Sequence, residues 1–396
     1  MFAFYINHSE SAGIFRSYGG YISLLPNLIG YVATRLSISF SPYFMVFSSL
    51  WITSCAFTVF ALPRYRFALA SDKGRMALCL ILGLLPLGNS AIRSSITYSQ
   101  WHLLWLFLIL ILAPLPRSTL GRIGQLGFLV VTAWSHPLSI LGIPLLGLTA
   151  IVRWKKDEIF NSVGLITAIV AYQLIGVDAS DAIQKISFSS IGLAGKYILH
   201  RVVFESIFGN RLRLLLHEQQ MDWMILLFAL SAIGILCLLL WNERRRISNG
   251  NWLWIGGLTV IIAGVSLGSV IGRSMDGNTH LGGWEQRYFY IQQMAFVLTC
   301  SIALFYFLSS RQWSAQSRSL WIRLGIVVGV SLVWSNFSNR VWFDTSAEAG
   351  QKVQAFVREV DSRLSHSHEM ADGSMMIFDR GGGFWDIRID ISSANE

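Results

Sequence analysis

Apolar residues in this chain arrive in long blocks separated by short polar stretches, not in the alternation of a half-buried strand. A helix needs about 20 mostly apolar residues to cross a bilayer. By that measure, 43–62, 101–115, 222–241, 252–271, 288–308 and 320–335 predict spans. Shorter blocks at 76–90, 123–135, 137–152 and 162–176 bring the expected count to about ten. The pair around Ser135-His136-Pro137 also reads as one broken helix.

Two regions follow other patterns. From Gly19 to Leu36, Ile22, Leu25, Ile29, Val32 and Leu36 recur at helical spacing, while Ser23, Asn27 and Thr34 take other faces. This predicts an amphipathic helix lying on the outer membrane surface. A spanning reading would put residues 1–18 inside. In the tail, Thr345 and Glu348 form a capping box ahead of Val353, Phe356, Val357, Val360 and Leu364, which keep a helical period. The apolar run Met375 to Phe378, the turn Asp379 to Gly383, and Trp385, Ile387, Ile389 and Ile391 alternating with polar residues predict a β-hairpin. The expected organisation is therefore an extracytoplasmic loop with a surface helix (1–42), a transmembrane bundle (43–335) and a small extracytoplasmic tail of a helix plus a β-hairpin (336–396). The fold class is an all-α polytopic membrane protein.

Charge fixes the expected orientation. The segments 63–75, 116–122, 153–161, 242–251 and 309–323 carry 15 of the 31 basic residues but only four of the 22 acidic ones. By the positive-inside rule these face the cytoplasm. The N-terminus, the 177–221 and 272–287 loops and the tail then face outward. Composition agrees: 53% of the 396 residues are hydrophobic and 13% charged, against roughly 25% charged in soluble domains. That excludes a cytosolic enzyme and a disordered chain. The net charge of +9 is spent on loops beside anionic lipid heads, so nucleic acid is not the expected partner. The four cysteines (Cys55, Cys79, Cys237, Cys300) sit within apolar blocks and read as small buried hydrophobes. No cleavable signal peptide is read in MFAFYINHSE.

Ionisable groups are nearly absent from the predicted span interiors, and His102 and His136 are the main exceptions. Ion-coupled carriers keep charge near the midplane, so a transporter is the weaker reading. Chemistry is expected at the outer face. There Glu10, Asp178, Asp181, Glu205, Asp276 and Glu285 offer a carboxylate to take a hydroxyl proton. Arg287, Arg273, Arg16 and the cluster Arg201, Arg211 and Arg213 offer cations for a departing phosphate. As isolated loop groups, most of these acids read as solvated. Arg287, opening a block beside Tyr288, Phe289 and Tyr290, reads equally as an interfacial anchor. His102, after Gln100 and Trp101, reads as an interfacial belt residue, and His136 as a hydrogen-bonded turn residue. No metal-ligand spacing stands out.

Several stretches together resemble bacterial polytopic glycosyltransferases of the GT-C superfamily. They are IFRSYGGYISLLPNLIGYVATRL (Ile14 to Leu36, including Arg16 and Tyr18), NSAIRSSITYSQWHLLWL (Asn89 to Leu106), Trp134-Ser135-His136-Pro137, and EQRYFYI (Glu285 to Ile291). The resemblance implies a GT-C-like enzyme of the bacterial inner membrane. It would transfer a sugar from a polyprenyl-phosphate donor to a glycolipid, polysaccharide or protein acceptor, and leaves room for a divalent metal. Arg287, with Arg273 and Arg16, is the implied phosphate-binding set. Glu285, Tyr288, Gln100, Trp101, His102 and Tyr18 are further candidates. The chain departs from the pattern in one respect. Similar proteins carry a span and an acidic stretch a dozen or more residues before the IFRSYGGY-like segment. Here Glu10 is the sole acid ahead of Ile14, which leaves it as the only catalytic candidate and makes a misassigned start or a truncated, inactive paralogue the expectation. A polysaccharide polymerase or ligase using diphosphate-linked oligosaccharides is the alternative enzyme.

Overall fold

The computed structural model describes residues 14–15, 17, 20–36, 40–84, 96–153, 156–177, 188–273, 288–309, 374–378 and 387–390, and these are mostly helical. The first seven helices are α1 (Leu24–Ala33), α2 (Ser41–Thr58), α3 (Asp72–Leu84), α4 (Ser99–Leu112), α5 (Thr119–Ala133), α6 (Gly142–Arg153) and α7 (Lys156–Ile175). Then come α8 (Phe188–Tyr197), a π-helical stretch (Ile198–Phe204), α9 (Glu205–Phe208) and α10 (Asn210–Glu218). Three long helices follow: α11 (Asp222–Glu243), α12 (Asn249–Arg273) and α13 (Tyr290–Ser309). In the tail, β1 (Ser374–Phe378) and β2 (Ile387–Asp390) pair antiparallel with Met375 opposite Ile389. The predicted helix at 345–364 and the block 320–335 lie outside the described residues.

Among the described residues, four helical stretches are long and apolar enough to cross a membrane: Ser41–Ala61, Asp222–Glu243, Asn249–Ile271 and Tyr290–Leu308. About 20 residues at 1.5 Å each reach the ~30 Å of a hydrocarbon core. The blocks at 101–115, 123–135, 137–152 and 162–176 form shorter apolar helices. α11 is the most lipid-like of the long helices. Trp223, Leu227, Leu230, Ile235, Leu238 and Trp241 all point away from the protein, which is favourable only in an apolar solvent. Cys237 is also exposed there, so it is not the buried hydrophobe expected.

α4 is a core helix. Its 14 residues are apolar around the whole circumference, and such a helix has to be enclosed. Trp105, Phe107 and Leu108 are completely buried. α12 lies against it at Gly257, where a Cβ would come within 2.5 Å of Leu112 Cδ2. A small residue lets the two backbones approach. α5 and α6 are separate helices, not one broken rod. Each packs on α4 and on α7, and Leu126 and Leu129 face the same small cavity as Leu146 and Arg153.

The basic turns gather at one end of this bundle. Arg64 donates to Pro114 O at 2.7 Å, Arg122 to Pro116 O at 3.0 Å and Arg153 to Ala113 O at 3.0 Å. Asn251, near the start of α12, donates to Phe67 O at 2.9 Å and to the Tyr306 hydroxyl. Helices alternate in direction from there, so Ser99, Trp134, Ile175 and Tyr290 mark the opposite end.

Two expectations are corrected. The amphipathic segment is a helix of only ten residues, and it turns Pro26, Asn27, Gly30 and Ala33 inward while Leu28 and Val32 are exposed. Its small and polar side packs on α2 and α5, because Ser41 Oγ donates to Ala33 O and Leu25 N–H donates to Ser135 Oγ at 3.0 Å. The region 177–221, read as an outer loop, is helical from Phe188 to Glu218 apart from Gly209. Gly209 sits at φ +84°, a conformation that glycine adopts without strain, and this breaks α9 from α10.

Candidate functional site

The end of the bundle away from the basic turns assembles residues that are distant in sequence. Ile22 N–H donates to Gly176 O at 2.9 Å, and Leu24 N–H to Trp134 O at 3.0 Å. Ser23 Oγ donates to Ser135 O at 3.2 Å, and the Tyr172 hydroxyl donates to Ile22 O at 2.7 Å. The segment before α1 is thus stitched to the α5–α6 turn and the end of α7. On the other side of that turn, the His136 and Trp101 rings meet edge to face, 4.5 Å between centroids. Tyr288 closes on Trp101 at 5.6 Å. At the next residue of α4, His102 Nδ1 and the Tyr290 hydroxyl share a hydrogen bond, with Phe57 edge-on to both rings.

The four stretches from Ile14, Asn89, Trp134 and Glu285 therefore meet around Trp101, His136 and Tyr288. All three are buried. His136 is the turn residue expected: its Nδ1 accepts from Leu138 N–H at 3.1 Å. His102 is not an interfacial belt residue. It is fully buried, and the hydroxyl of Tyr290 replaces water as its partner. Gln100 is buried too, and among the described residues no donor reaches its Oε1. A buried acceptor without a donor is costly.

An apolar groove of about 800 Å³ opens beside this cluster. Phe44, Phe47, Trp51, Cys55 and Thr58 line it along one stripe of α2, at helical spacing, and Leu62 lies just beyond that helix. Leu25 and Ile29 of α1 stand at one end and Leu110 of α4 at the other. Leu25 also carries the N–H that bonds Ser135, and Leu103 follows His102 in α4. The groove thus runs along α2, and Trp101, His136 and Tyr288 are not among the residues that line it.

A buried ionic group forms the other flank. Glu205 Oε2 accepts from Arg213 Nε at 3.0 Å and lies 3.5 Å from Arg201 Nε. All three side chains are at most 1% exposed. Arg213 also donates to Asn210 Oδ1 at 2.6 Å. Burial draws the Arg213 guanidinium down to about 10, with Glu205 pulling against it. His200, one residue before Arg201, is fully buried, and neither ring nitrogen has a hydrogen-bond partner among the described residues. Burial holds it down at about 4, against the upward pull of Asp222, so it is neutral at neutral pH. Asp222 instead bonds His217 at 2.9 Å.

Of the predicted site residues, Tyr288, Gln100, Trp101 and His102 come together here. Arg273 ends α12. Glu10, Arg16, Tyr18, Glu285 and Arg287, with Asp178, Asp181 and Asp276, lie outside the described residues. Glu205 is not the solvated loop carboxylate its isolation in sequence implied. The missed signal was local: Arg201 and Glu205 are four apart in ILHRVVFES, whose apolar positions Ile198, Val202 and Val203 already imply a helix. No protein family, curated protein or solved structure matches this chain.

Proposed function

We propose that this protein is a GT-C-type glycosyltransferase of the bacterial inner membrane. It moves a sugar from a polyprenyl-phosphate carrier onto a glycolipid, polysaccharide or protein acceptor at the outer face. One observation carries this reading: the described parts of the four sequence stretches that resemble such enzymes meet at one end of the bundle, around Trp101, His136 and Tyr288. A groove lined by hydrocarbon suits an isoprenoid chain. The basic turns at the other end support placing that end in the cytoplasm. The shorter helices complete the set of about ten spans in this reading, and the hairpin tail lies outside.

In the reaction, an acceptor hydroxyl attacks the anomeric carbon. Its proton passes to a carboxylate, Glu10. The bond from the anomeric carbon to phosphate oxygen breaks, and polyprenyl phosphate leaves. Arg287, the residue before Tyr288, stabilises the charge that develops on that oxygen, assisted by Arg16 and Arg273. The test is consumption of lipid-linked sugar by membranes enriched in the protein. Turnover above control membranes is expected, and Arg287→Ala should lower it by roughly 10²-fold, as removal of one oxyanion donor does. Unchanged turnover in Arg287→Ala overturns the phosphate role, and no turnover above control overturns the enzyme.

A further inference from the structure

The Arg201–Glu205–Arg213 group lies one layer behind the site, and its contacts run toward it. The Arg201 guanidinium carbon sits 4.7 Å above the centre of the Phe289 ring. The Arg201 carbonyl accepts from Gln293 Nε2 at 2.7 Å. Phe289 and Gln293 are one turn apart where α13 begins, and Gln293 N–H donates to Phe289 O at 3.0 Å. Arg201 therefore grips that first turn at two heights, by its side chain and by its backbone. Tyr197, one turn earlier, adds an edge contact to Phe289 at 5.3 Å. Glu205 pairs with Arg201, Arg213 donates to Glu205, and Asn210 accepts from Arg213. The segment between is π-helical, a strained form that recurs at functional sites. Tyr288, the next residue before Phe289, is the one that meets Trp101.

We infer that Arg201 and Glu205 are positioning residues. Through Phe289 and Gln293 they set the rotation of the first turn of α13, and with it the place of Tyr288 against Trp101. This rests on the proposed glycosyltransferase reading for its purpose, but not for its geometry. Burying an arginine–carboxylate set is expensive compared with an apolar filling of the same volume. An arrangement that uses both the plane and the carbonyl of Arg201 explains what that cost secures: a ring and an amide held at fixed orientation, which apolar packing fixes poorly.

The experiment has two arms on the full chain in detergent. The first is amide hydrogen exchange, comparing Glu205→Gln with the parent. Exchange over 289–294 should rise about tenfold, while exchange over 104–110 in α4 stays unchanged. An equal rise in both segments means a general loss of stability and overturns the inference, as does no rise in either. If Glu205→Gln does not accumulate, Arg201→Lys is read the same way, since it keeps a cation for Glu205 but gives up the flat contact on Phe289. The second arm is binding of undecaprenyl monophosphate. Glu205→Gln and Tyr288→Ala should each weaken it about tenfold, and the double variant should bind no more weakly than Tyr288→Ala alone, because both act through one side chain. Additive losses overturn positioning through Tyr288. If the parent does not bind this lipid, the glycosyltransferase reading fails, and the exchange arm still decides the inference.

Discussion

The two ends of the bundle use arginine in opposite ways. At the basic end, Arg64, Arg122 and Arg153 turn toward the carbonyls of Ala113, Pro114 and Pro116. These groups follow the last turn of α4, where a helix leaves carbonyls without intrahelical donors and carries partial negative charge. A guanidinium there solves a problem that every buried helix end poses. At the other end, Arg201 and Arg213 face a carboxylate, and all three side chains are removed from solvent. No helix terminus requires that. The first use is generic to a bundle of short buried helices. The second is specific to the residues it touches, and it lies beside the cluster of Trp101, His136 and Tyr288.

The comparison is broken most directly at Glu205. Removing one partner of a buried ionic set leaves an uncompensated charge, at a cost of roughly 3–5 kcal/mol. Glu205→Ala should therefore lower the midpoint of heat unfolding in detergent by more than any single change at the basic end. The readout is the loss of folded protein from solution with temperature. A shift no larger than that of the basic-end variants would mean that Glu205 is already compensated elsewhere, and the contrast between the ends would collapse.

How much of this could be read from sequence differs by element. The long spans were legible because a run of about 20 apolar residues has few other fates, and the hairpin because period two with a Gly-rich turn is equally distinctive. α4 was legible as an apolar block, but its place at the centre was not. Hydropathy does not distinguish lipid from protein as the surrounding solvent, and α4 and α11 have similar composition but opposite burial. The surface helix was misjudged for a related reason. Its face was assigned by hydrophobicity, whereas Asn27 and Gly30 turn inward, since close approach and a hydrogen bond from Asn27 to Ile14 O decide the packing. At the site, Trp101, His102 and Tyr288 stood out as residue types. Their partners did not: Tyr290 on His102 and Glu205 between two arginines are contacts set by tertiary folding.

Within the basic end, Arg153 is the sharper probe. It donates to both Leu112 O and Ala113 O, and no other described donor is placed to replace it on both. Leaving buried acceptors unsatisfied costs roughly 1–3 kcal/mol. Arg153→Ala should thus fall between Glu205→Ala and the surface variants in the same heat-unfolding series, with Arg153→Lys recovering part of the loss. A loss as large as that of Glu205→Ala would show that the α4 end, not the ionic group, anchors the bundle.

The smallest effect is expected at Arg66, in the same basic turn. It pairs with Asp72 at 3.2 Å, but both side chains are mostly in solvent, at 59% and 65% exposure. The Asp72 carboxyl is held below its usual range, first by the hydrogen bond from Arg66 and then by that from Arg75. A carboxylate with a lowered folded value contributes stability above its ordinary pKa and loses it as the pH falls through the folded value. At neutral pH the contribution is therefore fully present, yet solvent and salt screen an exposed pair almost completely. In Arg66→Ala, Asp72 keeps its contact with Arg75, which is buried and also donates to Leu69 O at 3.0 Å. Heat unfolding of Arg66→Ala at pH 7 should match the parent, at low and at high salt alike. A loss comparable to that of Arg153→Ala would mean that charge in this turn acts through its sign alone, and that the carbonyls around α4 are not what the basic end is built to satisfy.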